Sequence, residues 1–116
     1  MLAQCEIRLA RSSEAREIAL LSRDCIEYGL SWSWTPARVL RSIRHRATNV
    51  VVVRDDRGVV AFAIMRYDDE QGHLDLFAVR PDQQRRGIGG AVLSWLEVSA
   101  RVAGLMAIRL QVRAAN

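Results

Sequence analysis

Hydrophobic and polar positions change their spacing several times along the chain, and each change marks an element. From Cys5 to Ala10 they alternate, with Cys5, Ile7 and Leu9 on one face, which predicts a strand. Ser12 and Ser13 then offer an N-cap, and Glu14 and Glu17 fall in the first turn, where the helix dipole favours acids. Ala15, Ile18, Ala19, Ser22, Cys25 and Ile26 follow at helical spacing, and Gly29 supplies a C-terminal stop. After the connector Ser31-Trp32-Ser33-Trp34, Thr35 and Pro36 read as N-cap and first residue of a second helix. Its apolar stripe is Val39, Leu40, Ile43 and Ala47.

Asn49 to Arg54 carries four consecutive valines, the signature of a buried strand. The turn Asp55-Asp56-Arg57-Gly58 leads into a return strand from Val59 to Arg66. A second turn, Asp68 to Gly72, precedes a strand from His73 to Val79. The polar loop Arg80 to Arg86 follows, and a helix starts at Gly87 with Ile88, Ala91, Val92, Trp95, Ser99 and Val102 as its buried face, ending at Gly104. Met106 to Arg113 alternates once more. The order is β-α-α-β-β-β-α-β in one domain over residues 1–116. The class is α+β, or mixed α/β. Three central strands run antiparallel, and the strands flanking the last helix run parallel, because a helical crossover joins them.

Composition narrows the function classes. Half of the 116 residues are hydrophobic, as in a soluble globular domain. Apolar runs fall far short of the ~20 residues that span a bilayer. The N-terminus lacks the basic start and apolar stretch of a signal peptide, so the expected compartment is the cytoplasm and no membrane partner is expected. Cys5 and Cys25 are the only cysteines and lack metal-ligand spacing, so buried inert thiols are expected, and no metal. Net charge is +4, and all 17 basic residues are Arg. Guanidinium groups stay charged and pair bidentately with phosphate, so the surface favours anions.

The stretch from Leu76 to Gly90 carries the chemistry. A strand runs into a polar loop, and the loop enters a helix at Gly87, Gly89 and Gly90. The first amides of a helix have no partner within it, and the dipole adds partial positive charge there. Glycines leave those amides open to a phosphate, and Arg85 and Arg86 add charge. A Walker-type loop needs a Lys that this chain lacks, and the dinucleotide fingerprint has a different spacing and setting. An anion site for a pyrophosphate remains.

Gln84-x-x-Gly87-x-Gly89, with Phe77-Ala78-Val79-x-Pro81 before it and Leu110-x-Val112-Arg113-Ala114-Ala115-Asn116 after it, resembles the acetyl-CoA loop and flanking strands of the GNAT superfamily of N-acyltransferases. The element order is similar from Cys5 onward. Within the superfamily the wording is most similar to ribosomal-protein N-terminal alanine acetyltransferases. The resemblance implies a mostly antiparallel central sheet with flanking helices and acetyl-CoA as acyl donor. Backbone groups of Phe77, Ala78 and Val79 would hold the pantetheine arm, amides of Arg85, Arg86, Gly87, Ile88, Gly89 and Gly90 the pyrophosphate, and Asn116 would contact the cofactor. A fourth-strand amide would polarise the thioester carbonyl.

The acceptor implied is a primary amine, a protein N-terminus or a small molecule, attacking directly. It must lose a proton first. A Lys side chain (pKa ~10.4) needs a general base more than an α-amino group (pKa ~7.7–8.0). His73 and Asp75 are the candidate bases, read as sharing a strand face with Phe77 and Val79. Glu70 and Tyr67 are further candidates. The family pattern continues past the asparagine with a helix bearing a Tyr general acid and two more strands, which residues 1–116 do not include. A truncated gene, strand exchange in a homodimer through the exposed last strand, or a partner chain that completes the sheet would each account for this. Two other readings stand beside the enzyme. A non-catalytic acyl-CoA-binding module would bind the cofactor and release no thiol with any amine. A nucleic-acid-binding domain would use the basic helix face of Arg38, Arg41, Arg44, His45 and Arg46, though a net charge this modest does not by itself argue for nucleic acid.

Overall fold

The computed structural model describes residues 5–102 and 107–110. Strand β1 (Glu6–Leu9) is followed by helices α1 (Ala15–Cys25) and α2 (Pro36–Arg44). Strands β2 (Thr48–Asp55), β3 (Gly58–Tyr67) and β4 (Gln71–Val79), helix α3 (Ile88–Val102) and strand β5 (Ala107–Leu110) complete the order read from the pattern. The five strands lie in sequence order in one sheet, antiparallel from β1 to β4, with β4 and β5 parallel. Gly104, residues 111–113 of the expected last strand, and Asn116 lie outside the described residues. No helix among the described residues is long and apolar enough to cross a membrane.

The sheet is covered on both faces, which explains the run of valines. Val50 and Val52 face α1 and α2, packing with Ile18, Val39, Phe62 and Ile64. Val51 and Val53 face α3, packing with Met65, Ile88, Val92 and Leu96. A strand buried on both sides loses its alternation, because every position needs an apolar side chain.

Several local expectations change in the folded chain. Ser12 and Ser13 cap nothing. Ser12–Glu14 forms a 3-10 turn, and Glu14 accepts the Arg11 amide at 2.8 Å. Glu14 is also 4% exposed and takes guanidinium bonds from Arg8 and Arg54, so it is a buried ionic hub and more than a dipole partner. Helix α1 ends at Cys25, ahead of Gly29, which serves the following turn at φ +77°. On α3 the buried line is Ile88, Val92, Leu96 and Ala100, while Ala91, Trp95 and Ser99 are half-buried. An i, i+4 line is the narrower stripe that a helix lays along a sheet.

The α1–α2 connector is held by one carboxylate. Glu27 is 6% exposed and accepts from the Ser22 hydroxyl (2.9 Å), the Ser33 amide and hydroxyl (2.7 and 2.8 Å) and the Trp34 amide (3.2 Å). Burial pushes its pKa up, but these donors outweigh burial and hold it below the ordinary carboxylate value. At α2 the expected cap forms: Thr35 Oγ1 accepts the Arg38 amide at 3.4 Å, with Pro36 as first helical residue.

Candidate active site

Strand β4 positions both clefts described below, and an irregularity in its pairing decides which side chains reach which. Against β3 the register runs Ala61 to Val79, Phe62 to Ala78, Ala63 to Phe77 and Ile64 to Leu76, then jumps to Met65 and Leu74. Asp75 is left without a partner, as the extra residue of a β-bulge. Two residues of β4 then oppose one of β3, and the faces exchange. Leu74 packs with the α3 cluster while Leu76 packs with the α1–α2 cluster, although they are two apart. Phe77 and Val79 face α3. Asp75 lies on the other side, where it accepts from Arg66 Nε at 3.0 Å and Nη2 at 3.3 Å. The expected common face of His73, Asp75, Phe77 and Val79 is therefore corrected: strict period-2 counting does not survive a bulge.

A first cleft of about 530 Å³ opens where the end of β4 meets the start of α3 and the end of α1. Its walls include Phe77, Ala78, Val79, Arg85, Ile88 and Gly89, all expected from the sequence, and also Cys25, Ile26, Gln83 and Gln84. The loop over it is tied down: Gln84 Nε2 donates to the Val79 carbonyl at 3.1 Å and Arg86 to Gln83 Oε1 at 3.0 Å. Arg85 and Gly87 both adopt positive φ, +66° and +79°. A non-glycine residue in that region costs about 1–2 kcal/mol, strain that a binding loop tolerates when it aims amides.

The first internal bond of α3 is Ala91 N–H to the Gly87 carbonyl at 3.0 Å. The amides of Ile88, Gly89 and Gly90 precede it and have no intrahelical acceptor. No heavy atom lies within 4 Å of a Cβ placed on Gly87 or Gly90, and on Gly89 the nearest would be Phe77 Cζ at 3.4 Å. The cradle is open, lined by donors and positively charged at its rim, which fits a pyrophosphate.

On its β4–β5 side the sheet pairs over Gln71–Leu74 with Ala107–Leu110. Among the described residues, the segment from Leu76 to Val79 pairs on its β3 side only, so its other edge presents backbone groups for an added strand. At this cleft burial and then the neighbouring Asp24 push the Cys25 thiol pKa up, which disfavours the reactive thiolate.

A second cleft of about 400 Å³ lies on the α1–α2 side of the sheet, between α2 and the bulge. Trp34, Arg38, Arg41, Ser42, His45 and Asp75 are among its walls. His73 reaches neither cleft wall; its Nε2 is 2.9 Å from Asp68 Oδ2 in the preceding turn. That contact, with the Glu70 and Gln71 amides, holds Asp68 at about 2. Tyr67 is occupied too, accepting from Asn49 at 2.9 Å, and Glu70 is exposed. Of the candidate bases, Asp75 alone borders either of these two clefts. Among the described residues no group of His, Cys, Asp and Glu side chains converges as metal ligands.

The sequence model of the acetyltransferase (GNAT) family matches residues 14–116. The chain belongs to that family. An acetyltransferase of Sodalis glossinidius is 30% identical over 112 residues, 96% of this chain and 78% of that protein. The [ribosomal protein bS18]-alanine N-acetyltransferase of Salmonella typhimurium is 33% identical over 86 residues, 74% of this chain and 57% of the Salmonella protein. The chain thus spans little more than half the length of that relative. Among solved structures, the PaiA N-acetyltransferase from Thermoplasma acidophilum in complex with coenzyme A superposes with a TM-score of 0.85 at 16% identity, over 97% of this chain and 81% of that one. This last likeness establishes the GNAT fold.

Within the GNAT frame, what the sequence reading missed was the far wall of the first cleft. Cys25 and Ile26 were legible as the last apolar positions of a helix, but which strand end they approach depends on how α1 crosses the sheet. Arg86, Gly87 and Gly90, also expected at the cofactor, flank the cleft without forming its wall.

Proposed function

We propose that the chain transfers an acetyl group from acetyl-CoA to a primary amine. The observation that carries this reading is the first cleft: free helix-start amides, a strained basic loop and an unpaired strand edge converge on one opening, in a chain of the GNAT family. Amides of Ile88, Gly89 and Gly90, with Arg85, hold the pyrophosphate. Backbone groups of Phe77 to Val79 align the pantetheine arm along β4. Acetyl-CoA supplies an activated acyl carbon, and the arm delivers it toward the bulge at Asp75. There a β4 amide stabilises negative charge on the carbonyl oxygen.

Asp75 borders the second cleft and takes the proton shed by the amine, directly or through one water. The amine nitrogen bonds to the acyl carbon as the carbon–sulfur bond breaks and sulfur keeps the electron pair. The acceptor is a protein N-terminus or a small amine; the name of the Salmonella relative supports the first.

Calorimetric titration with acetyl-CoA tests the donor site. Gly89→Glu puts a carboxylate among the free amides and weakens binding at least about tenfold, a change of about 1.4 kcal/mol or more. Unchanged affinity in the folded variant sinks the reading. Thiol release with an amine panel then separates a transferase from a module that only binds acyl-CoA.

A further inference from the structure

The second cleft has an uneven charge distribution. At its sheet wall Asp75 of β4 and Arg66 of β3 largely neutralise each other through their two hydrogen bonds. At its α2 wall stand Arg38 and Arg41, and among the described residues no carboxylate pairs with them. The sequence contains no Asp or Glu between Glu27 and Asp55, a stretch that includes the connector, all of α2 and most of β2.

Arg38 lies over the Trp34 ring, with its guanidinium carbon 3.8 Å from the ring centroid. Stacking covers one face of the group and leaves its in-plane donors free. His45 accepts the Ala47 amide through Nδ1 at 3.1 Å, which leaves Nε2 as a donor. The connector that carries Trp34 is pinned by buried Glu27, so the stacked pair is held in place.

Resting on the acetyltransferase reading, we propose that this cleft is the acceptor pocket and is built for a small amine that carries its own carboxylate or phosphate. The amine nitrogen sits at Asp75 beside the bulge, and the anion sits on Arg38 and Arg41. A bidentate guanidinium–oxyanion contact is among the stronger polar interactions available to such a ligand. The volume suits a small molecule, being near the lower end of the range of about 300–1,000 Å³ for ligand pockets. Three guanidinium groups against one carboxylate also disfavour an acceptor whose amine is followed by cationic side chains.

The test is calorimetry on the whole chain with ω-amino acids from glycine upward, aminoalkylphosphonates, alkylamines of the same lengths, and diamines. The acids or the phosphonates bind at least about tenfold tighter than matched amines, because their anion gains a charge-assisted contact that the amines lack; which of the two series wins identifies the anion. Arg41→Glu abolishes that preference, Arg41→Gln reduces it, and acetyl-CoA affinity in the first cleft stays the same in both. Acids and neutral amines binding alike, or a preference that survives Arg41→Glu, overturns the inference while intact acetyl-CoA binding leaves the transferase reading standing. Binding of an amine-free oligonucleotide with none of the small acids also overturns it, in favour of a nucleic-acid surface. Acid binding without any acetyl-CoA binding refutes the transferase reading, and with it the acceptor role of the cleft.

Discussion

Replacing Glu14 by Gln tests the electrostatic account of the fold. The Glu14 carboxylate is 5% exposed and accepts Arg8 Nη1 at 2.7 Å and Nη2 at 3.0 Å, Arg54 Nη1 at 2.8 Å and the Arg11 amide at 2.8 Å. It joins β1, the 3-10 turn and β2. Burial pushes its pKa up; the Arg8 hydrogen bonds, the Arg11 amide, the Arg8 charge and Arg54 together outweigh burial and hold it at about 2, against 4.5 ordinarily. That gap of about 2.5 pH units corresponds to about 3 kcal/mol at about 1.36 kcal/mol per unit.

The folded value is the lower one, so the contribution is fully present above about pH 4.5 and is lost as pH falls through about 2. Gln keeps the shape and an acceptor but not the charge. Arg54 retains Glu17 at 3.0 Å and Arg8 retains Glu6 at 2.8 Å, which softens the loss to about 2–3 kcal/mol. Urea unfolding of both proteins, followed by tryptophan fluorescence at pH 7 and in steps down to about pH 2, reads the difference. A gap under about 0.5 kcal/mol at pH 7 would place Glu14 among ordinary surface positions and refute the reasoning. So would a gap that stays constant as the pH is lowered.

Two further outcomes follow from the site and the core. Asp75→Asn lowers kcat/KM about a hundredfold or more, the ordinary yield of a general base, while acetyl-CoA affinity measured by calorimetry is unchanged; equal loss in both would make Asp75 structural. Leu96→Ala costs about 2–5 kcal/mol in urea unfolding because Leu96 is fully buried under the sheet, whereas Ser99→Ala on the flank of α3 stays within about 0.5 kcal/mol; the reverse ranking would restore the face expected from sequence.

The elements were legible because each has its own signal. Thr35-Pro36 announces α2, the Gly58 and Gly72 turns separate the central strands, and the glycines after Gln84 open α3. Six of the ten residues expected at the cofactor line the first cleft, because a strand, a short loop and a helix start are contiguous in sequence and need no tertiary information to be placed together. The α3 face was harder to read. Its sequence is apolar nearly all round, so periodicity could not choose between Trp95 and Ser99 on one side and Leu96 and Ala100 on the other.

The amino-acid sequence by itself determined the order of elements, the family, and the anion cradle at the start of α3, since all three are written in local spacing. Only the tertiary structure decided which groups meet across the sheet. The bulge that leaves Asp75 unpaired belongs to the pairing of β4 with β3, and no property of residues 71–79 alone reveals it. It turns Phe77 and Val79 toward α3 and Asp75 toward α2, and so divides the side chains of one strand between the two clefts. Glu14, placed by the sequence in a first helical turn, becomes a buried ionic hub because folding brings Arg54 to it from 40 residues away. Local spacing governs what each segment is; register and packing govern what each side chain touches.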